Sequence, residues 1–219
     1  MNTRYSLQMV LKSDAVFGRG DGVPGVTDIE VQHDEWGRPY LGGRSLKGLM
    51  VAECAEIIAA LPKDHKPRWE ASARRLFGIP GSSQESSAIM SVGNAELPSD
   101  LRSAIKQAVL ASRISPDEIL ESLTALRRLT AIADTGIPLE HTLRTVRVVL
   151  RETQFQADLV FCERPSDDDL ALLAACVKAL RRVGTGRNRG LGRVKTELFD
   201  DSGNSVTERF FEVFRKEVL

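Results

Sequence analysis

The stretch GTGRNRGLG, Gly184–Gly192, connects the last predicted helix of the core to its last predicted strand. We call it the glycine loop: it holds four glycines and two arginines in nine residues. Glycine lets backbone N–H groups approach an anion, and arginine binds phosphate oxygens through paired donors. A dinucleotide-binding loop follows a strand and opens a helix, which is the reverse of this order. The stretch therefore favours the phosphates of a nucleic acid over those of a nucleotide cofactor.

The surroundings of the glycine loop are locally basic in a chain without net charge. From Arg181 to Lys195 there are six basic residues and no acidic one, whereas the formal net charge of all 219 residues is zero. Anion binding must therefore come from such a patch and not from the chain as a whole. The structural alternative is that Gly184 ends the preceding helix and the other glycines shape a bend. Capping needs one glycine, and the loop has four.

Hydrophobic spacing on both sides of the glycine loop predicts a mixed fold. In chain order the core elements are a strand over 4–12, a helix over 45–61, strands over 146–150 and 155–161, a helix over 166–180 and a strand over 193–199. Ser166, with Asp169 three residues later, is expected to cap the second helix. A short helix near 206–217 closes the chain. This order predicts an α+β fold with a ferredoxin-like (RRM-like) βαββαβ core, in which both helices lie on one face of a four-stranded sheet.

One domain is expected to span residues 1–219, with an insertion and an arm inside it. The insertion, over about 63–126, is predicted to hold a Gly/Ser-rich loop, a short strand and two polar helices (78–87, 88–93, 99–112 and 116–126). Residues 127–145 carry a turn signal at Asp134–Gly136. They predict an extended, thumb-like hairpin.

Composition excludes several classes of protein. An apolar content of 42% is sufficient for a packed core, and three widely spaced cysteines without a CxxC pair argue against a zinc site. No signal-peptide pattern opens the sequence, and no apolar run reaches membrane-spanning length. We therefore expect a cytoplasmic protein without a membrane partner.

A second candidate site is the predicted helix start in PYLGGRSLKGLM, residues 39–50. A helix N-terminus presents unpaired N–H groups and the positive end of the helix dipole. Arg44 and Lys47 add full charges, and Ser45 is the expected N-cap. We expect the three residues to contribute to anion binding.

The glycine-rich loop over 18–40 supplies carboxylates that can hold a divalent cation or act as a base. They are Asp21, Asp28, Glu30, Asp34 and Glu35. The sequence leaves open which of them converge, and solvated loop acids are the simpler interpretation. A metal-free ribonuclease could instead use one of the histidines His33, His65 and His141 as general base.

Two motifs and the ferredoxin-like order of elements together resemble the RAMP superfamily of CRISPR-associated proteins. The motifs are GRSLKG at 43–48 and GTGRNRGLGRV at 184–194, and RRLTAIADTGIP at 127–138 resembles the segment leading into a thumb. The likeness is to the backbone subunits of type III effector complexes, of the Csm and Cmr kinds. In those subunits a glycine-rich loop and an aspartate precede LPYIPGSSLKG, and GVTDIEVQHDEWGRPYLGGRSLKG stands here at 25–48. The resemblance spans most of the chain.

The resemblance implies a subunit that stacks with copies of itself and joins other subunits along a guide RNA. The helix start and the glycine loop would hold the guide backbone, and the thumb would wedge into the duplex of guide and target RNA. The implied RNA-binding residues are Arg44, Ser45, Lys47, Gly184, Gly186, Arg187, Arg189, Gly190, Gly192 and Arg193.

By the same resemblance, Asp28 matches the aspartate required for metal-dependent cleavage of the target RNA. Asp28 is then both the catalytic residue and the ligand of a divalent cation, with Mg²⁺ expected. Glu30 departs from the apolar residue or proline that usually follows, which leaves open whether it joins the metal site. Gly43 and Arg44 replace a proline and a serine of the family pattern, and the helix start is kept.

Three other functions stay open. The same scaffold could bind RNA without catalysis, with Asp28 a bystander. A guide-processing endoribonuclease is disfavoured by the SLKG-type helix start and by the lack of a second complete ferredoxin-like unit. A small-molecule enzyme that binds a nucleotide at the glycine loop is disfavoured because no substrate-pocket motif is recognised.

Overall fold

The computed structural model describes residues 3–79, 88–130 and 142–218, and these form two antiparallel sheets and six α-helices. The strands are β1 (Thr3–Leu11), β2 (Met90–Val92), β3 (Thr124–Leu129), β4 (Arg144–Val149), β5 (Gln154–Phe161) and β6 (Val194–Asp200). The helices are α1 (Gly43–Ala60), α2 (Lys66–Phe77), α3 (Ser99–Leu110), α4 (Pro116–Leu123), α5 (Asp167–Ala179) and α6 (Thr207–Val218). The expected mixture of helices with antiparallel sheets is confirmed.

The larger sheet has the strand order β2-β5-β1-β6, and every neighbouring pair is antiparallel. In its centre Leu7 of β1 lies opposite Ala157 of β5 and Leu198 of β6, and all three side chains are fully buried. Alternate side chains of a strand point to opposite faces. Gln8, the next residue of β1, is accordingly exposed. One face of the sheet therefore packs on the core, as the alternation in the sequence predicted.

Helix α5 is the centre of the helical layer. Its residues Asp169–Val177 are all buried, because it packs against α1, α2 and α6 as well as β6. The predicted cap is confirmed: Ser166 Oγ accepts a hydrogen bond from Asp169 N–H at 3.2 Å, and the Asp169 carboxylate accepts one from Ser166 N–H at 2.9 Å. Among the described residues, no helix has both the length and the apolar character needed to cross a bilayer.

Helix α2 is absent from the sequence-based prediction. It buries Trp69, Ser72 and Leu76, and the rest of its sequence is mainly polar. Trp69, Ala73 and Leu76 recur at helical spacing, so the sequence carried a helical signal that the prediction missed. Contacts with α1 and α5 stabilise the helix.

Two strands pair differently from the prediction. We expected 146–150 to lie beside 155–161 in one sheet, with a tight turn at Glu152. Instead β4 pairs with β3 in a separate two-stranded sheet, and β2, placed by the sequence in the insertion, forms the edge of the larger sheet beside β5. Glu152 adopts a left-handed φ of +66°, and its N–H donates to Leu11 O at 2.8 Å. This bond ties the turn to β1, so the chain passes from one sheet to the other at this point.

Strands β3 and β4 form the base of the predicted arm, and we call them the arm hairpin. The turn signal at Asp134–Gly136 lies outside the described residues. Residues 15–18 connect the arm hairpin to the glycine loop, since Ala15 pairs with Val149 of β4 and Val16 pairs with Thr185. Val16 also packs with Val146 and Val148 of β4 in a small second core.

Candidate nucleic-acid interface

Two glycines of the glycine loop are required by the fold itself. Gly184 and Gly192 have left-handed φ values of +76° and +72°. A Cβ at Gly184 would lie 2.4 Å from Val16 O, and one at Gly192 would lie 1.9 Å from Val183 O. At both positions the neighbouring backbone is itself hydrogen-bonded, with Thr185 N–H donating to Val16 O and Val183 N–H donating to Gly192 O. The structural interpretation of the loop therefore accounts for these two residues.

The other two glycines flank a 3₁₀ turn over Arg187–Arg189, and internal packing does not explain them. Gly186 and Gly190 have φ values of +69° and +80°. A Cβ at Gly190 would have no heavy atom within 4 Å, and one at Gly186 would first meet the flexible end of Leu191, at 3.1 Å. The space beside these two glycines is therefore open, although Arg189 N–H is used within the turn, where it donates to Gly186 O at 2.8 Å.

An open cleft of about 880 Å³ lies between the glycine loop, α1 and the arm hairpin. Its basic lining consists of Arg181, Arg182, Arg187 and Arg189, and Glu53 of α1 is its acidic lining residue. The apolar lining includes Val16, Ile29, Leu129, Val146 and Leu191. Within the described part of the chain, no carboxylate forms an ion pair with any of the four arginines, so their charges remain available to an anion.

Glu53, the acidic residue of this cleft, was not predicted as a site residue from the sequence. Burial raises the pKa of Glu53 above its ordinary value of 4.5, and Glu56 raises it further, whereas Arg187 and Arg181 oppose the shift. A signal was present, because Ser45, Leu49 and Glu53 follow each other at intervals of four residues and so share one face of a helix. Arg181 and Arg182 were counted in the basic run but not selected as site residues.

The first turn of α1 meets the glycine loop. Ser45 lines a small cavity of about 180 Å³ together with Gly184 and Thr185. The two motifs that the sequence selected separately are therefore neighbours in space. Arg44 is exposed at the same helix start, and Lys47 is half-buried, with its pKa lowered by burial.

The expectation that Ser45 caps this helix is wrong. Helix α1 begins at Gly43, and its N-cap, Gly42, makes no side-chain capping bond. Gly43 N–H donates instead to the side-chain oxygen of Asn94, at 2.9 Å. A Cβ at Gly43 would lie 2.3 Å from Val92 O, which explains why the helix can start this close to the end of β2.

Arg193 lies apart from the other predicted arginines. Its side chain is exposed, but the residues that line the cleft end at Leu191. The Arg193 backbone is occupied by the turn after β1, since its N–H donates to Ser13 Oγ at 2.9 Å and its carbonyl accepts from Lys12 N–H at 2.7 Å.

Asp28 is exposed and lies against the first residues of β4. Its N–H donates to Thr145 O at 2.8 Å, and its Oδ2 accepts from Thr145 N–H at 2.7 Å. Ile29 forms a parallel bridge with Val146 and also lines the basic cleft. Asp28 is thus fixed against the arm hairpin, and its neighbour Ile29 lines the cleft.

Three of the other four carboxylates of the loop have partners elsewhere, and the fourth, Glu35, is exposed. Asp21 pairs with Arg19 at 2.6 Å, and Asp34 pairs with Arg38 at 2.6 Å. Glu30 is buried and pairs with Arg147 of β4 at 2.8 Å. Within residues 3–79, 88–130 and 142–218, no group of three His, Cys, Asp or Glu side chains is arranged to hold a metal ion.

One exposed carboxylate does not enclose a cation. Mg²⁺ is commonly held by one or two carboxylates and completes its coordination with water and substrate phosphates, whereas Ca²⁺ takes six to eight oxygens. A single exposed carboxylate beside a basic cleft suits a cation that takes its other ligands from water and substrate phosphates, as Mg²⁺ does. It does not suit a cation enclosed by protein ligands.

Comparison with known proteins identifies the family and the fold. The family model of the RAMP superfamily matches residues 9–195. A chain from a cryo-EM structure of the type III-B Cmr-beta complex bound to cognate target RNA superposes with a TM-score of 0.62 at 14% identity, over 89% of this chain and 96% of that one. A chain from the apo state of Cmr-beta superposes with a TM-score of 0.63 at 14% identity, over 91% of this chain and 98% of that one. No curated protein matches the sequence.

Proposed function

This chain belongs to the RAMP superfamily, and we propose that it is a guide-RNA-binding subunit of a type III CRISPR effector complex. In this proposal it holds the guide backbone, stacks with copies of itself and with other subunits in the cytoplasm, and cleaves the complementary target RNA.

The observation that carries the proposal is the open cleft of about 880 Å³ lined by four arginines that have no acidic partner among the described residues. A groove that binds any RNA sequence needs phosphate and sugar contacts, and it leaves base recognition to pairing with the guide. Exposed arginines and an open glycine backbone supply such contacts. The shared fold with chains of the type III-B Cmr-beta complex supports the same assignment.

We also propose that the larger sheet is the ferredoxin-like unit expected from the sequence, with its second strand reassigned. Strand β2 takes the place that the sequence gave to β4. The order β2-β5-β1-β6 then equals 2-3-1-4 within the unit, with α1 and α5 as its two helices. The segment from β2 to β5 becomes an insertion that contains the arm.

Cleavage is assigned to Asp28 at the base of the arm. Asp28 would hold a Mg²⁺ through its exposed carboxylate, and this ion would supply Lewis-acid polarisation of a phosphoryl oxygen of the target RNA. The chain's own contribution is position: Thr145 orients the carboxylate through Oδ2, and the arginines of the neighbouring cleft hold the RNA backbone. Orientation of reacting groups accounts for a large share of enzymatic rate enhancement.

A scaffold without catalysis is the second candidate. It is favoured because, among the described residues, no group of three His, Cys, Asp or Glu side chains is placed to hold a metal ion. In that case the hydrogen bonds between Asp28 and Thr145 serve only to attach the loop to β4.

The test compares wild type with Asp28→Asn in the complex co-expressed with its guide array. Asn keeps the side-chain acceptor for Thr145 N–H but removes the charge that would bind the cation. Labelled complementary RNA is added with and without Mg²⁺, and guide content and target binding are measured in parallel. We expect regularly spaced products that require both Mg²⁺ and Asp28, and a loss of at least about 100-fold in rate with the guide retained. If wild type binds the target RNA without cutting it, the scaffold without catalysis is the remaining candidate. Protein that is purified without RNA would contradict both the cleaving subunit and the scaffold.

A further inference from the structure

The loop that carries Asp28 is attached to the arm hairpin by a buried ion pair. Glu30 Oε1 and Arg147 Nε are 2.8 Å apart, and their side chains are 2% and 13% exposed. The Nε–H does not point at the oxygen, so the contact is an ion pair and not an aligned hydrogen bond. Among the ion pairs of the described residues, this is the one in which both side chains are largely buried.

The Glu30 carboxylate is fully engaged within the protein. Its Oε1 also accepts from Val31 N–H at 2.9 Å, and its Oε2 accepts from Thr27 Oγ1 at 3.3 Å. Arg147 extends the connection, because its Nη1 donates to Thr124 Oγ1 of β3 at 3.2 Å. A carboxylate with these partners has no free oxygen directed at solvent, which makes it a poor cation ligand.

The ion pair and Asp28 contact β4 in the same register. Asp28 is hydrogen-bonded to Thr145. Two positions further along both segments, Glu30 forms its ion pair with Arg147. Ile29 and Val146 form the parallel bridge between them. A shift of Glu30 along β4 therefore shifts Asp28 with it.

From these contacts we propose that Glu30 and Arg147 are positioning residues, which fix the Asp28 carboxylate at the base of the arm. The proposal rests on the role of Asp28 in the proposed function. The sequence left open whether Glu30 joins the metal site. In this proposal Glu30 is not a second metal ligand, and it couples the Asp28 loop to strand β4 of the arm hairpin. Any motion of β4 on binding the duplex is then transmitted to Asp28.

The test uses Glu30→Gln, Arg147→Met and the double variant, with Glu152→Gln as the matched control. The control removes an exposed ion pair, Lys12–Glu152, whose side chains are 47% and 66% exposed. Removing one partner of a buried pair leaves an uncompensated charge, so the double variant guards against a single variant that fails to fold.

The first readout needs neither metal nor RNA. Amide hydrogen exchange is measured by NMR on the purified chain, at Asp28 and Thr145 and, for reference, at Met9 in the centre of the larger sheet. We expect exchange at Asp28 and Thr145 to accelerate at least about tenfold in all three variants, while Met9 and the control do not change. Unchanged exchange at Asp28 would overturn the proposal, and equal acceleration at Met9 would reduce the pair to a general stabiliser of the fold.

The second readout is single-turnover cleavage of target RNA by the assembled complex at saturating Mg²⁺. Glu30→Gln and Arg147→Met should each slow cleavage at least about tenfold, and the double variant should be no slower, since both singles break one contact. Loss with Glu30→Gln and none with Arg147→Met would identify Glu30 as a ligand and overturn the proposal. If the wild-type complex does not cleave, the proposed catalytic function fails, and the exchange rates alone decide whether Glu30 and Arg147 position Asp28.

Discussion

Replacing Gly186 with alanine is expected to weaken RNA binding while the fold is kept. Gly186 lines the basic cleft with a left-handed φ of +69°, and a Cβ there would approach the movable end of Leu191 at 3.1 Å. The cost to folding is therefore mainly the conformational one, about 1–2 kcal/mol for a non-glycine residue in this region. In a chain of this size, that corresponds to a decrease in Tm of roughly 2–8 °C.

The matched control is Gly203→Ala. Gly203 follows β6, has a φ of +77°, and a Cβ there would meet no heavy atom within 4 Å. Its stability cost should equal that of Gly186→Ala, but it lies outside the cleft. Thermal unfolding of both variants checks that the two substitutions are equivalent for the fold.

The two variants should differ in affinity for single-stranded RNA, measured by fluorescence anisotropy at several salt concentrations. A methyl group at Gly186 displaces a phosphate from the backbone, and losing a hydrogen bond to a charged group costs about 1.5–3 kcal/mol. This predicts a Kd at least about tenfold higher for Gly186→Ala and an unchanged Kd for Gly203→Ala. The dependence of log Kd on log salt should keep its slope, because no cation is removed. Equal affinities for the two variants would refute the assignment of the cleft to RNA phosphates.

Two further substitutions lie on α1. Gly48 is an exposed helical residue beside which a Cβ would meet nothing within 4 Å, so Gly48→Ala should stabilise the fold by about 0.5–1 kcal/mol in urea unfolding. Glu53→Gln should bind RNA about fivefold more tightly at pH 7, because it removes a negative charge beside the phosphates. Since the pKa of Glu53 is raised, its carboxyl is neutralised as the pH falls towards that pKa, so wild-type affinity should rise towards acid pH more than that of Glu53→Gln. Parallel pH profiles in anisotropy titrations would contradict the role assigned to Glu53.

Elements whose signals are local could be predicted from the sequence. Strands β1 and β5 were found from alternation, and the capping box at the start of α5 from Ser166 and Asp169. The basic glycine loop could also be recognised, because its glycines and arginines lie within nine consecutive residues. Each of these features depends on neighbours within a few positions along the chain.

Tertiary structure decided which strands pair and what each site residue touches. Strand β2 has three residues, too few for a periodic signal to show that it joins the larger sheet. The hydrogen bond between Thr145 and Asp28 joins residues 117 positions apart, and the ion pair from Glu30 to Arg147 spans a similar distance along the chain. Sequence spacing cannot reveal such contacts, because only the folded backbone brings these groups within hydrogen-bonding reach.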